Sequence, residues 1–136
     1  MNMELLKEEL LRDEGLELKP YTDTVGKTTI GVGRNLSDVG ITRAEAMYLL
    51  ENDIGKAAAE LDRVKPSWRD LSDDQQRALV NLTFNMGMPR LQHFKKMWAA
   101  LESGRFATAA DELLNSRYAS QVGDRAKRMA ELLELD

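Results

Sequence analysis

The sequence contains no cysteine, so it can hold neither a disulfide framework nor a thiolate nucleophile. It has a single histidine, His93, with no cluster of His, Asp or Glu at ligand spacing around it. His93 therefore reads as an ordinary surface or helix-face residue, and no metal site is expected. Basic charge is in deficit: 19 Lys and Arg stand against 23 Asp and Glu, for a net charge of −4. Nucleic-acid binding normally needs a basic stripe, so no nucleic-acid partner is expected. No apolar run approaches the ~20 residues that cross a bilayer. The opening MNMELLKEELL is studded with Glu4, Glu8 and Glu9 and has no signal-peptide core. A chain made in the cytosol, without an export address and without stable membrane association, is the expectation.

What is present suits a packed protein. Apolar residues make up 43% and charged residues 31% of 136 positions, the size of one domain or two small lobes. Charge is uneven, and residues 117 to 128 hold Arg117, Arg125, Lys127 and Arg128 against Asp124 alone. Such a run reads as a solvated face or as a patch that meets an anion or tunes a carboxylate.

Met3, Leu6 and Leu10 recur at helical spacing, which predicts an amphipathic helix over 2–14 ended by Gly15. From Leu18 to Val32 the composition shifts to Thr, Ile, Val, Tyr and Gly, which predicts a β-hairpin turning near Asp23 to Gly26. Thr42 to Glu45 has a capping-box pattern, and the apolar spacing behind it predicts a helix over 43–64 ending before Pro66. Ser72 to Gln75 opens another, closed by Gly87 and Pro89. Further helices run through Phe94 to Leu101, through Phe106 to Leu114, and from a cap at Asp124. The fold class is thus α+β and mostly helical. It has a small hairpin lobe at 14–41, a long connecting helix at 43–64, and a helical lobe at 67–136 grouped with helix 2–14. The whole is read as a single domain, 1–136.

Within RDEGLELKPYTDTVGKTTIGVGRNL, Glu14 ends the first helix and Asp23 follows nine residues later, in the turn. Hydrolysis of a glycosidic bond needs two carboxyl groups, one protonated and one ionised. A helix C-terminus disfavours ionisation, so Glu14 is the candidate proton donor and Asp23 the ionised partner. In the strand, Thr29 alternates with Ile30. If Ile30 and Val32 seek the core, Thr29 faces a cleft, where it could hold a water, and Gly31 and Gly33 would admit a flat sugar ring. The plain alternatives are equally open: Asp23 as a turn-forming Asx residue and Thr29 as an ordinary strand threonine.

Glu14-Gly15, Tyr21-Thr22-Asp23-Thr24 and Thr29-Ile30-Gly31-Val32-Gly33 together resemble the signature of the phage-type lysozymes, glycoside hydrolase family 24, the T-even phage enzymes among them. Phe84-Asn85-Met86-Gly87, Ser116-Arg117-Tyr118 and Asp124-Arg125-Ala126-Lys127-Arg128 resemble later family segments, so the likeness covers nearly the whole chain. It implies a lysozyme fold with a glycan cleft between hairpin and helical lobe. It implies a muramidase that cleaves the β-1,4 bond between N-acetylmuramic acid and N-acetylglucosamine with inversion. Glu14 is then the general acid, Asp23 the second carboxylate and Thr29 the residue that positions water. Arg125 matches the arginine that pairs with the catalytic glutamate. A nearby cation would oppose the helix-end effect on Glu14, and the sequence leaves open which prevails. Asn35, Phe84, Asn85, Met97 and Glu112 fall at glycan-contact positions.

The segment between Gly33 and Thr42 is shorter than in the T-even enzymes, so the hairpin lobe is expected to lack a strand and a helix of its relatives. Arg34 stands where those relatives have a histidine, and it is expected to support Asp23 permanently charged. No cofactor or metal is implied. The implied role is an endolysin acting as a monomer on peptidoglycan glycan strands. It would wait in the host cytoplasm until a holin-type permeabilising protein releases it to the wall. The rivals are a lytic transglycosylase and a non-catalytic glycan-binding module on the same fold.

Overall fold

A helix begins where a side chain can take up its first free N–H groups. Asn2 does this for α1 (Met3–Glu14), its Oδ1 accepting the Leu5 N–H at 3.0 Å. This computed structural model describes residues 1–135; Asp136, the last position of the expected domain, lies outside the described residues. The chain divides into two compact units, Met1–Tyr48 and Leu49–Asp136. The helix α1 belongs to the first of them, whereas the sequence groups it with the helical lobe.

In the first unit, α1 ends at Gly15, whose positive φ of 76° reverses the chain and whose N–H bonds to Leu11 O at 2.9 Å. Three antiparallel strands follow in the order β1 (Glu17–Thr22), β2 (Thr28–Gly31) and β3 (Arg34–Asn35). The β1–β2 register slips between Glu17 and Tyr21, where Pro20 has no N–H to give the ladder. The expected hairpin is present, with its turn at Asp23 to Lys27. The segment after Gly33 forms β3 and one helical turn, α2 (Leu36–Val39).

One expectation about this sheet needs correcting. Ile30 and Val32 do not form its buried face: Thr29 is the residue 4% exposed, while Val32 lies past the end of β2 and is 40% exposed. The cause is position, because β2 is the central strand and Thr29 is paired with Tyr21 on one side and Asn35 on the other.

The helix α3 (Arg43–Val64) starts at the expected capping box. Thr42 Oγ1 accepts the Glu45 N–H at 3.1 Å, and Glu45 Oε1 accepts the Thr42 N–H at 2.8 Å. The boundary between the units falls inside α3, after Tyr48.

In the second unit, a 3-10 turn at Pro66–Asp70 precedes α4 (Asp73–Met86), α5 (Met88–Leu91), α6 (Lys95–Glu102), α7 (Phe106–Leu114), α8 (Arg117–Val122) and α9 (Asp124–Glu134). The 3-10 turn, α5 and α8 carry no apolar period of their own and were not foreseen. Asp124 is the first residue of α9 rather than its cap, which is Gly123 at φ 59°. Leu79, Leu82, Leu91, Trp98, Leu113 and Leu133 are fully buried and form one core with Met97, Ala109 and Ala126. Each buried Leu stabilises the unit by roughly 1.5–3 kcal/mol. Gln75 ties α4 to α9 inside that core, its Nε2 donating to Leu133 O at 3.0 Å while its Oε1 accepts the Ser72 N–H at 3.0 Å.

Candidate active site

Glu14 is the last residue of α1, and the turn at Gly15 leaves its side chain exposed. Its carboxyl group lies against Gly33, between β2 and β3: a Cβ placed on Gly33 would stand 2.9 Å from Glu14 Oε2. Gly33 is therefore not open to a sugar ring as the sequence suggested, since the Glu14 carboxyl takes that space. Gly31 does have open space where its Cβ would be.

Asp23 turns out to be both a turn-forming residue and a carboxylate with capacity to spare. Its Oδ1 accepts the Val25 N–H at 3.0 Å and the Lys27 N–H at 2.8 Å, which is an Asx turn. Its Oδ2 has no hydrogen-bond partner among the described residues. The oxygen that builds the loop and the oxygen available for chemistry are thus different atoms.

The Lys27 backbone also fixes Thr29. Its carbonyl accepts the Thr29 Oγ1–H at 3.1 Å and the Asp23 N–H at 2.9 Å. With its proton already given, Thr29 Oγ1 keeps lone pairs to accept from a water. Glu14, Asp23 and Thr29 all lie in the first unit.

Arg34 does not support Asp23. Its Nη1 donates to Gly40 O at 3.0 Å and to Glu45 Oε1 at 3.0 Å, and its Nη2 pairs with Glu45 Oε2 at 2.8 Å. The hydrogen bonds from Arg34, then those from Thr42, hold the Glu45 carboxyl down to about 2, from an ordinary 4.5. An arginine fork fits a carboxylate in two-point fashion, and Glu45 offers that geometry at the start of α3.

Asn35 is occupied as well. Its Oδ1 accepts the Asp38 N–H at 3.1 Å and its Nδ2 donates to Asp38 Oδ2 at 2.9 Å, so it caps α2 rather than presenting a free amide to a glycan.

In the second unit the expected glycan-contact residues fall in separate places. Phe84 is 49% exposed, not core, and lines a cavity of about 580 Å3 with Trp68, Val80, Asn81 and Arg125. The Arg125 guanidinium is held there by Asn81 Oδ1, at 3.1 Å from Nε and 2.9 Å from Nη2. Asn85 Oδ1 accepts the hydroxyl of Tyr118 at 2.7 Å. Burial raises the Tyr118 pKa, so that hydroxyl stays a donor. Met97 is 1% exposed and packs in the core, because it shares a helix face with Trp98 and Leu101. With Glu112, His93 and Lys96 it lines a second cavity, of about 390 Å3.

A model of the family described as phage lysozyme matches residues 12–133. The chain belongs to the phage lysozyme family. Among its phage-lysozyme relatives is a probable T4-type lysozyme 2 of Dictyostelium discoideum, 28% identical, with 95% of this chain and 93% of that one aligned. An endolysin of Acyrthosiphon pisum secondary endosymbiont phage 1 is 32% identical over 84% of this chain and 78% of its own. The pre-baseplate central spike protein Gp5 of Enterobacteria phage T4 is 29% identical, and there 94% of this chain aligns with 27% of the larger protein. The mostly helical α+β fold with a small three-stranded sheet accords with this membership. This phage lysozyme is accordingly an enzyme with a lysozyme-type, peptidoglycan-cleaving role.

Proposed function

We propose that this lysozyme hydrolyses the β-1,4 bond between N-acetylmuramic acid and N-acetylglucosamine by an inverting acid/base reaction. Glu14, protonated, gives its proton to the leaving glycosidic oxygen. Asp23, ionised, takes a proton from a water at Oδ2 while Thr29 Oγ1 orients that water toward the anomeric carbon on the opposite face of the ring. The carrying observation is the shared anchor at Lys27. The backbone of this one residue holds Asp23 Oδ1 with its N–H and takes the Thr29 hydroxyl proton at its carbonyl, leaving Oδ2 and the Thr29 lone pairs unengaged.

The same reading takes residues 1–136 as one working lysozyme domain, active as a monomer on peptidoglycan strands. It assigns Arg125 as the support of Glu14, and Phe84 and Glu112 as glycan contacts. It also assigns the enzyme to host-cell lysis. The enzyme is held in the cytoplasm until a holin-type protein permeabilises the membrane. Among the described residues no helix is long and apolar enough to cross a membrane.

Mass spectrometry of muropeptides released from purified peptidoglycan tests the chemistry. Hydrated reducing muramic ends, formed first as the inverted anomer, are expected. Anhydro-muramic ends would make the enzyme a lytic transglycosylase and take the water-handling role from Asp23 and Thr29. No release from several wall types by folded protein would leave a glycan-binding module.

A further inference from the structure

The catalytic reading requires Asp23 and Thr29 to keep a fixed mutual register, and the structure has a specific device next to them. Both hang on the backbone of Lys27: its N–H holds Asp23 Oδ1 at 2.8 Å, and its carbonyl takes the Thr29 hydroxyl at 3.1 Å and the Asp23 N–H at 2.9 Å. Any shift of the Lys27 backbone therefore moves both groups.

On the β1 side, Lys27 is steadied by the hairpin, whose ladder reaches Thr22 opposite Thr28. On the other side the β2–β3 ladder covers only Thr29 with Asn35 and Ile30 with Arg34, and stops short of Thr28 and Lys27. The helical turn α2 takes over there. Ser37 Oγ accepts the Thr28 N–H at 2.9 Å, and Asp38 Oδ1 pairs with Lys27 Nζ at 3.1 Å. Asn35 holds Asp38 in turn, from its backbone N–H and its Oδ2. Two adjacent side chains of α2 thus grip Lys27 and the first residue of β2 on the side where the β2–β3 ladder does not reach.

We propose that Ser37 and Asp38 are positioning residues of this lysozyme, bracing the Lys27 backbone so that Asp23 and Thr29 stay aligned on one water. The inference rests on the catalytic roles proposed above for Asp23 and Thr29. Neither Ser37 nor Asp38 is assigned a part in the proton transfers. The Lys27–Asp38 pair is exposed, with 41% and 54% of the two side chains accessible, so it does little for stability. Its effect is geometric: a misplacement of about 1 Å in a catalytic group can cost on the order of 100-fold in rate.

The test is the pair of substitutions Ser37→Ala and Lys27→Met, singly and combined, with kcat, KM and Tm measured on purified peptidoglycan fragments. Lys27→Met keeps the peptide unit and removes only the ammonium. The double variant is expected to lose about tenfold in kcat with KM within about twofold of the parent and Tm nearly unchanged, a loss confined to the transition state. Ser37→Thr and Lys27→Arg, which restore the acceptor and the cation, are expected to return most of the rate. A double variant with parental kcat overturns the brace, as does a loss that tracks only the unfolded fraction. Asp23→Asn is measured alongside. If it is inactive while the double variant is fully active, the brace fails and the catalytic reading stands. If Asp23→Asn is itself active, the catalytic reading fails and the brace with it.

Discussion

The carboxyl group of Glu14 fills the space that a side chain at Gly33 would need, with Oε2 2.9 Å from the position of that Cβ. Gly33 also holds a φ of +68°, a region that L side chains enter at a cost of roughly 1–2 kcal/mol. Gly33→Ala is therefore expected to lose about that much stability and to displace the Glu14 carboxyl, lowering kcat by about tenfold. Gly31→Ala separates the two effects, because Gly31 has nearly the same φ, +70°, and nothing near its Cβ position. Urea unfolding should show similar losses for both variants, and the kcat loss should be much larger for Gly33→Ala.

Glu14→Gln removes the carboxyl proposed as proton donor and keeps the shape of the side chain. Loss of a general acid costs about 10²- to 10⁴-fold in rate, so wall-clearing activity should fall by that factor at unchanged Tm. A variant with near-parental activity would remove Glu14 from the role assigned to it.

The Arg34–Glu45 pair makes a pH prediction. The Glu45 carboxyl is held down to about 2 in the folded chain, against 4.5 ordinarily. A depressed carboxylate adds stability that is fully present above its unfolded value and is lost as pH falls toward the folded one. The first unit should thus lose this contribution between about pH 4.5 and pH 2. Comparing Tm against pH for the parent and Glu45→Gln checks it: the variant's curve should be flatter in that window.

Gln75 makes the prediction for the second unit. It is buried and donates to Leu133 O at 3.0 Å, joining the start of α4 to the end of α9. Gln75→Ala leaves buried polar groups without partners, at about 1–3 kcal/mol. Denaturant unfolding should register that loss, while the exposed Gln121→Ala should change stability by no more than about 0.5 kcal/mol.

Much of this protein is settled by short-range chemistry, and that part could be read from the chain. The box of Ser72 with Gln75 and that of Thr42 with Glu45 start their helices where their spacing says, because a cap needs only residues three apart. The Asx turn at Asp23 and the hairpin around it are equally local. So is the end of α1, which the single left-handed residue Gly15 sets.

Partners distant in sequence were not legible. Arg34 could have served Asp23 or Glu45, and the choice fell to Glu45 because the chain after β3 brings the start of α3 to the guanidinium. Asn35 gave no sign that both ends of its amide would be spent on Asp38. Asn85 with Tyr118, Asn81 with Arg125 and Gln75 with Leu133 are joined across 33, 44 and 58 positions, by helix packing alone. Met97 has the side chain of a surface contact or a core filler, and only the packed face of α6 decided for the core. The sequence by itself determined the hairpin, the longer helices and the caps at Thr42 and Ser72, since those depend on neighbours along the chain. The tertiary structure alone decided which polar side chains are spent on the fold and which stay free, since a hydrogen bond goes to whatever packing brings within about 3 Å.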